Sequence, residues 1–180
     1  MPYLAAAVAL VGALCLLNLL LALGIIRRLR EHTAQLAIRA QGTGPGEVML
    51  PAGASIGDFA VTTTEGEPLS AELLSGTTLV GFFAHGCGPC HELMPQFITY
   101  AAGVAGGRGQ VLAVVIGEAT EATEMLDALA PVARTVREDP QGPVARAFGV
   151  SAYPALALLD GRVVIASGHE LASLPRAVSV

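Results

Sequence analysis

The stretch FFAHGCGPCHEL, Phe82–Leu93, places two cysteines between a run of apolar residues and a segment of helical character. Cys87 and Cys90 are separated only by Gly88 and Pro89. The residues before them, TTLVGFFAH, are apolar or β-prone and predict a buried strand. The N-terminus of a helix carries a partial positive charge and free N–H groups, which favour a thiolate over a thiol. The pattern therefore predicts a reactive cysteine pair at a strand-to-helix junction.

The positions of the two cysteines on this helix predict different roles. Cys87, at the exposed end, is expected to attack a disulfide as a thiolate. Cys90, one turn deeper, is expected to resolve the mixed disulfide that results. Pro89 suits the first helical turn, because its missing N–H costs nothing there.

The sequence from Gly57 onwards alternates predicted strands and helices. Two short strands flank a turn at Glu65–Gly66, Ser70 is predicted to cap a short helix, and the helix of the cysteines is predicted from Cys90 to about Val104. The later elements are a strand QVLAVVIG, a helix ATEATEMLDALA, a strand VARTV, a helix QGPVARAFG, a hairpin PALALLDGRVVIAS turning at Asp160–Gly161, and a weak terminal helix LASLPRAV. This order predicts an α/β fold with helices on both faces of a central sheet.

Three segments resemble the thioredoxin superfamily. The first is the strand, the CGPC sequence and the helix that contains Pro95. The second, DPQGPVARAFGVSAYPALALLDGRVV, is similar to the family segment around its cis-proline, which implies a cis peptide at Tyr153–Pro154. The third, IGDFAVTTTEGEPLSAELLSGTTLVGFFA, is similar to the membrane-tethered TlpA-, ResA- and MauD-like thiol-disulfide proteins. The resemblance covers about residues 57–168 and implies a thioredoxin-like fold with a central mixed sheet.

The resemblance also implies roles for individual residues. The redox pair is matched by Cys87 and Cys90, the substrate-binding positions by Tyr153 and Pro154, and the redox-tuning positions by Gly88, Pro89 and Phe83. Two positions depart from the family. Gly86 stands where thioredoxins usually carry Trp, and Gly81 stands where they carry a buried Asp that helps to deprotonate the resolving cysteine. His91 and Glu92 match no family role, so the proton acceptor for Cys90 is not identified.

The first 26 residues carry no charged side chain. Leu4–Ile26 would form about 34 Å of helix, enough to cross a bilayer core of roughly 30 Å. Its length and the lack of preceding basic residues favour an uncleaved anchor over a signal peptide. We expect a membrane anchor in residues 1–30, a juxtamembrane helix and Gly/Pro-rich linker in residues 31–56, and a thioredoxin-like domain in residues 57–180.

The charges that flank the span and the family resemblance predict different sides of the membrane for this domain. The span is followed by Arg27, Arg28, Arg30 and Arg39 and preceded by no basic side chain, which predicts a cytoplasmic domain. The resemblance to TlpA-, ResA- and MauD-like proteins implies a position outside the cytoplasm, where disulfides persist. The outside position is the one we expect.

The expected reaction is thiol–disulfide exchange with protein disulfide or dithiol substrates and an upstream redox partner. The CGPC pair resembles that of reducing thioredoxins, which favours a reductase or electron relay over an oxidant. A formal net charge of −5, without a basic stripe in the domain, argues against nucleic acid as a partner. We expect no cofactor and no metal.

Four alternatives remain open. Cys87 to His91 reads C-x-x-C-H, the haem c attachment motif, but strands alternating with helices argue against a haem protein. A zinc site of Cys87, Cys90, His85 and His91 has no second pair of ligands. A thiol peroxidase of the AhpC/TSA type shares the fold, but its Pro-x-x-x-Thr/Ser-x-x-Cys context is absent before Cys87. A non-enzymatic scaffold would bind unfolded chains near Pro154.

Overall fold

A computed structural model describes residues 47–175, together with Gly12. Seven strands lie in this part of the chain: β1 (Ala60–Thr62), β2 (Pro68–Ser70), β3 (Thr77–Ala84), β4 (Val111–Ile116), β5 (Arg134–Glu138), β6 (Ala155–Asp160) and β7 (Val163–Gly168). Three α-helices lie there as well: α1 (Gly88–Ala101), α2 (Ala119–Leu129) and α3 (Pro143–Ala147).

Five of the strands form a mixed sheet in the order β5-β4-β3-β6-β7. Strands β3, β4 and β5 are parallel, whereas β6 is antiparallel to both β3 and β7. The short strands β1 and β2 form a separate hairpin. Because β3 is the central strand, its side chains are buried on both faces of the sheet, as its apolar sequence predicts.

Two hydrophobic cores lie on opposite faces of the sheet. Alternate residues of β3 point to each core, Val80 and Phe82 to one and Leu79 and Phe83 to the other. The first core is covered by α3 and the β1–β2 hairpin, and the second by α1 and α2. The predicted arrangement of helices on both faces is therefore confirmed.

Several predicted element boundaries are wrong by a few residues. Helix α1 begins at Gly88 rather than Cys90, because Cys87 is its N-cap, and it ends at Ala101 rather than near Val104. The hairpin turns at residues 161–162 rather than at Asp160–Gly161, because Asp160 still pairs with Val163 in the ladder.

Two predicted short helices are 3-10 turns of three residues. The first is Ala71–Leu73, and the preceding Ser70 makes no side-chain capping bond. The second is Leu171–Ser173, within the predicted terminal helix LASLPRAV, whose last three residues lie outside the described part of the chain. Neither segment extends far enough to close a full α-helical turn with i to i−4 bonds.

The packed domain begins before residue 57, the boundary predicted from the sequence. Met49 and Ile56 are buried, at 0% and 2% exposure. The N–H of Leu50 donates to the carbonyl of Phe148 at 3.0 Å, and that of Gly53 donates to the carbonyl of Val164 at 2.8 Å. Residues 47–56, predicted as linker, thus pack against the sheet although Pro51 and Gly53 interrupt regular structure.

The predicted anchor, apart from Gly12, and the juxtamembrane helix lie outside the described residues, as do residues 176–180. Among the residues that are described, no helix combines the length and apolar character that a membrane crossing requires.

Candidate active site

The two cysteines lie where β3 ends and α1 begins, and they form a disulfide. Their sulfurs are 2.18 Å apart and their Cα atoms 5.2 Å apart. The chain turns into the helix at Gly86, whose φ of +73° is a left-handed conformation that favours glycine. The N–H of Cys87 donates to the carbonyl of Ala84 at 3.3 Å and closes this turn.

The two sulfurs have different environments. Cys90 is fully buried at 0% exposure, whereas Cys87 is half-buried. The Cys87 Sγ accepts the N–H of Cys90 at 3.2 Å, at the N-terminus of α1. An N–H donor and the helix dipole stabilise a thiolate, and burial in apolar surroundings disfavours one. This asymmetry supports the roles predicted for Cys87 as attacking thiol and Cys90 as resolving thiol.

The two residues predicted to bind substrate lie beside this pair. The Tyr153–Pro154 peptide is cis, as the resemblance implies. The carbonyl oxygen of Tyr153 is 3.8 Å from Cys87 Sγ. Pro154 is buried and directly precedes β6. The backbone of Tyr153 is therefore positioned next to the sulfur that a substrate must approach.

The remaining predicted site residues line the junction. Gly88 and Pro89 are the first two residues of α1. Phe83 is fully buried and packs edge-to-face on Phe97, with ring centroids 5.2 Å apart. A Cβ at Gly81 would lie 2.8 Å from a ring carbon of Phe83 and 2.8 Å from one of Phe97. The aromatic pair thus occupies the space into which the family's buried Asp would project.

A buried carboxylate close to Tyr153 is not predicted by the sequence. Glu138, at 4% exposure, accepts the N–H of Val144 at 2.7 Å and that of Ala145 at 3.0 Å. Glu138 therefore caps the N-terminus of α3, the helix that precedes Tyr153 in the sequence. A Cβ at Gly142 would lie 2.6 Å from the Glu138 carboxylate, so the close approach requires glycine. The Gly-Pro pair that opens α3 is the sequence signal for a helix start there.

Replacing Glu138 with alanine is expected to destabilise the domain by about 2–4 kcal/mol, because two buried helix N–H groups lose their charged acceptor. Denaturant unfolding measures this loss. Glu121→Ala on the exposed face of α2 is the matched control and is expected to change stability by less than about 0.5 kcal/mol. Equal midpoints for the two variants would contradict the capping role.

The phenol of Tyr153 is expected to make the stability of the domain depend on pH in the alkaline range. Burial raises the pKa of Tyr153 above its usual 10.0, and the negative charge of Glu138 raises it further. The stability linked to this group is fully present below pH 10.0 and is lost as the pH rises through the folded-state pKa. As the pH rises from 10.0 through the folded-state pKa, Tyr153→Phe is therefore expected to lose less stability than the wild type. The free energy of unfolding of both proteins, measured against pH, tests this. An equal loss in the two proteins over the alkaline range would contradict the expectation.

No three or more His, Cys, Asp or Glu side chains within residues 47–175 are grouped closely enough to hold a metal ion. His85 and His91, the histidines of the zinc alternative, are both exposed.

The sequence model of the AhpC/TSA family matches residues 52–167, which include the whole cysteine-to-proline site. The chain belongs to the AhpC/TSA family. No curated protein matches it at a significant level. The thiol peroxidases of the peroxidase alternative belong to the same family.

Solved structures with a similar fold are thioredoxin-like. A thioredoxin domain of a thiol-disulfide oxidoreductase from Bacteroides vulgatus is 15% identical, with a TM-score of 0.52 over 66% of this chain and 88% of that one. A thioredoxin-family thiol:disulfide interchange protein from Chlorobium tepidum is 24% identical, with a TM-score of 0.50 over 68% and 90%. A DsbF homologue from Corynebacterium diphtheriae is 13% identical, with a TM-score of 0.54 over 75% and 88%.

The thioredoxin-like fold predicted from the sequence is thereby confirmed, and so is the class of enzyme. This AhpC/TSA-family protein is a thioredoxin-like oxidoreductase. The narrower resemblance to TlpA-, ResA- and MauD-like proteins stays a prediction.

Proposed function

We propose that this protein is a membrane-tethered thiol-disulfide oxidoreductase that exchanges disulfides with protein partners through Cys87 and Cys90. The observation that carries the proposal is the asymmetric disulfide at the N-terminus of α1. Cys87 is partly exposed and its Sγ lies 3.8 Å from the Tyr153 carbonyl, whereas Cys90 is fully buried.

In the reducing direction the proposed reaction has two steps. The Cys87 thiolate attacks one sulfur of a partner disulfide, so that a Cys87–partner bond forms and the partner bond breaks. The second partner sulfur leaves as a thiolate and takes a proton from solvent. Cys90 then loses its proton, attacks Cys87 Sγ and restores the Cys87–Cys90 disulfide as the first partner sulfur leaves. Two electrons pass to the partner, and an upstream dithiol returns them.

The backbone of Tyr153 is proposed to hold the partner during this exchange. Its carbonyl faces the Cys87 sulfur and can accept an N–H from an extended partner segment. Pro154 has no N–H to donate, so the carbonyl of Tyr153 is the backbone group of this peptide that a partner segment can bond. Gly88, Pro89 and Phe83 shape the surroundings of the sulfurs and are the residues expected to tune their reactivity.

A thiol peroxidase is the second candidate, because the AhpC/TSA family model matches the chain. The peroxidase context places Thr or Ser three residues before the cysteine and Pro seven residues before it. Ala84 and Val80 stand at those positions, both within β3. Neither side chain can donate a hydrogen bond to a peroxide bound at Cys87, which favours disulfide exchange.

One comparison of substrates tests the proposed function. The reduced full-length protein is mixed either with a peptide disulfide or with hydrogen peroxide, and the loss of Cys87 and Cys90 thiols is followed by quenched alkylation. Faster oxidation by the peptide disulfide is expected. Faster oxidation by peroxide would assign the protein to the peroxidase class instead.

The membrane tether and the side of the membrane are part of the proposal. Residues 4–26 are proposed to span the cytoplasmic membrane, with the redox domain outside it. A membrane-impermeant thiol reagent applied to intact, reduced cells is expected to label Cys87, and Cys87→Ser is the control. Labelling only after lysis would place the domain in the cytoplasm, in agreement with the flanking arginines.

A further inference from the structure

A groove of about 360 Å³ lies beside the cysteine pair and is not explained by the exchange chemistry alone. One wall is a single face of α1, formed at helical spacing by Pro89, Glu92, Leu93 and Gln96. The other wall is the segment 169–172, which follows β7. Pro154 also lines the groove, so the cavity extends to the residue that follows Tyr153.

The second wall is held by contacts of Leu174 and Pro175, the residues that follow it. Leu174 is buried in the core beneath α1, and its N–H donates to the carbonyl of Leu171 at 3.1 Å. The hydroxyl of Tyr100 on α1 donates to the carbonyl of Pro175 at 2.6 Å. Both walls are therefore held before a partner binds, which lowers the entropic cost of binding.

The groove combines an apolar lining with acidic side chains. Its apolar residues are Pro89, Leu93, Pro154, Leu171 and Ala172. Glu92 and Glu170 contribute exposed carboxylates from opposite walls. The Nε2 of His169 lies 3.5 Å from the Glu170 carboxylate, and His169 carries a charge only when its imidazole is protonated.

The net charge of the surrounding domain adds to the negative charge of the groove. Residues 47–175 contain fourteen Asp and Glu residues but only five cationic side chains, all of them arginine. Among the lining residues there is no arginine. Three of the five arginines, Arg108, Arg137 and Arg162, form ion pairs elsewhere on the domain. The mouth of the groove is therefore negative, and a cationic partner is complementary to it.

We propose that this groove binds the part of a partner protein next to its reacting cysteine, and that it selects a segment with an apolar residue followed or preceded by Arg or Lys. The apolar side chain enters between Leu93 and Leu171, and the cation lies between Glu92 and Glu170. The inference rests on the proposed function, because it names the class of substrate for the same cysteines. Such charge complementarity acts mainly on the rate of encounter and on specificity.

The test uses the reduced full-length protein in detergent and two fluorescent peptide disulfides. The peptides have one sequence with a Leu beside the cysteine and differ only at the next residue, Lys or Glu. At low salt, and at a pH where histidine is neutral, the Lys peptide is expected to be reduced about five- to tenfold faster than the Glu peptide. The ratio is expected to fall as salt is added.

Matched charge variants locate the origin of the preference. The double variant Glu92→Gln/Glu170→Gln is expected to bring the Lys-to-Glu rate ratio to within about twofold of unity. The double variant Glu121→Gln/Glu124→Gln removes two exposed carboxylates from α2, outside the groove, and is expected to keep most of the wild-type ratio.

The outcomes separate this inference from the proposed function. Equal rates for the two peptides, or an unchanged ratio in Glu92→Gln/Glu170→Gln, would overturn the groove assignment while leaving disulfide exchange intact. An equal fall of the ratio in both double variants would assign the preference to the net charge of the domain and overturn the groove assignment as well. Failure to reduce either peptide would overturn the proposed function, and the inference with it.

Discussion

Replacing Gly81 with aspartate is expected to destabilise the folded domain by about 4 kcal/mol or more, although thioredoxins carry Asp at the matching position. The new Cβ would lie 2.8 Å from the rings of both Phe83 and Phe97. The carboxylate would enter a fully buried apolar core without an ionic partner. Denaturant unfolding of the disulfide form measures the loss.

Two further variants separate steric overlap from buried charge. Gly81→Ala adds only the Cβ and is expected to cost about 1–3 kcal/mol. Gly109→Ala is the control, because no heavy atom lies within 4 Å of its Cβ. Phe97→Leu should offset part of the cost of Gly81→Ala, so that the double variant loses less than the sum of the single variants. Wild-type stability in Gly81→Asp would contradict the packing of the aromatic pair against Gly81.

Replacing Cys87 with serine is expected to reduce the rate of disulfide exchange by roughly 10³-fold or more, because the attacking sulfur is lost. Cys90→Ser keeps that sulfur and its position at the N-terminus of α1, so its first attack is expected to continue while turnover stops. The rate of the first step, followed as release of a partner thiol, separates the two variants. Equal rates of release from both would contradict the assigned roles.

The redox pair and the central strand are predictable from local sequence. The seven residues from Thr78 to Ala84 include no charged side chain and are rich in aromatic and β-branched residues, which favours a buried strand. The cis peptide at Tyr153–Pro154 follows from the resemblance rather than from any local pattern. The start of α1 is harder to predict, because cysteine is not a common N-cap and its sulfur replaces the usual side-chain oxygen.

Features that depend on contacts between different elements of the fold are not predictable in this way. The capping of α3 by Glu138 spans six residues across a loop, and a Glu at the end of a strand is ordinarily read as exposed. The overlap at Gly81 arises in part from Phe97, which lies on a different element. The second wall of the groove joins residues 169–172 to α1, and sequence periodicity cannot indicate that contact.

The proposed function depends most directly on Cys87 being the sulfur that attacks. The decisive measurement is mass spectrometry of reduced Cys90→Ser and reduced Cys87→Ser after each is mixed with the same peptide disulfide. A mixed disulfide on Cys87 that accumulates in Cys90→Ser, with none on Cys90 in Cys87→Ser, is the predicted result. An adduct on Cys90 in Cys87→Ser, with none on Cys87 in Cys90→Ser, would contradict it.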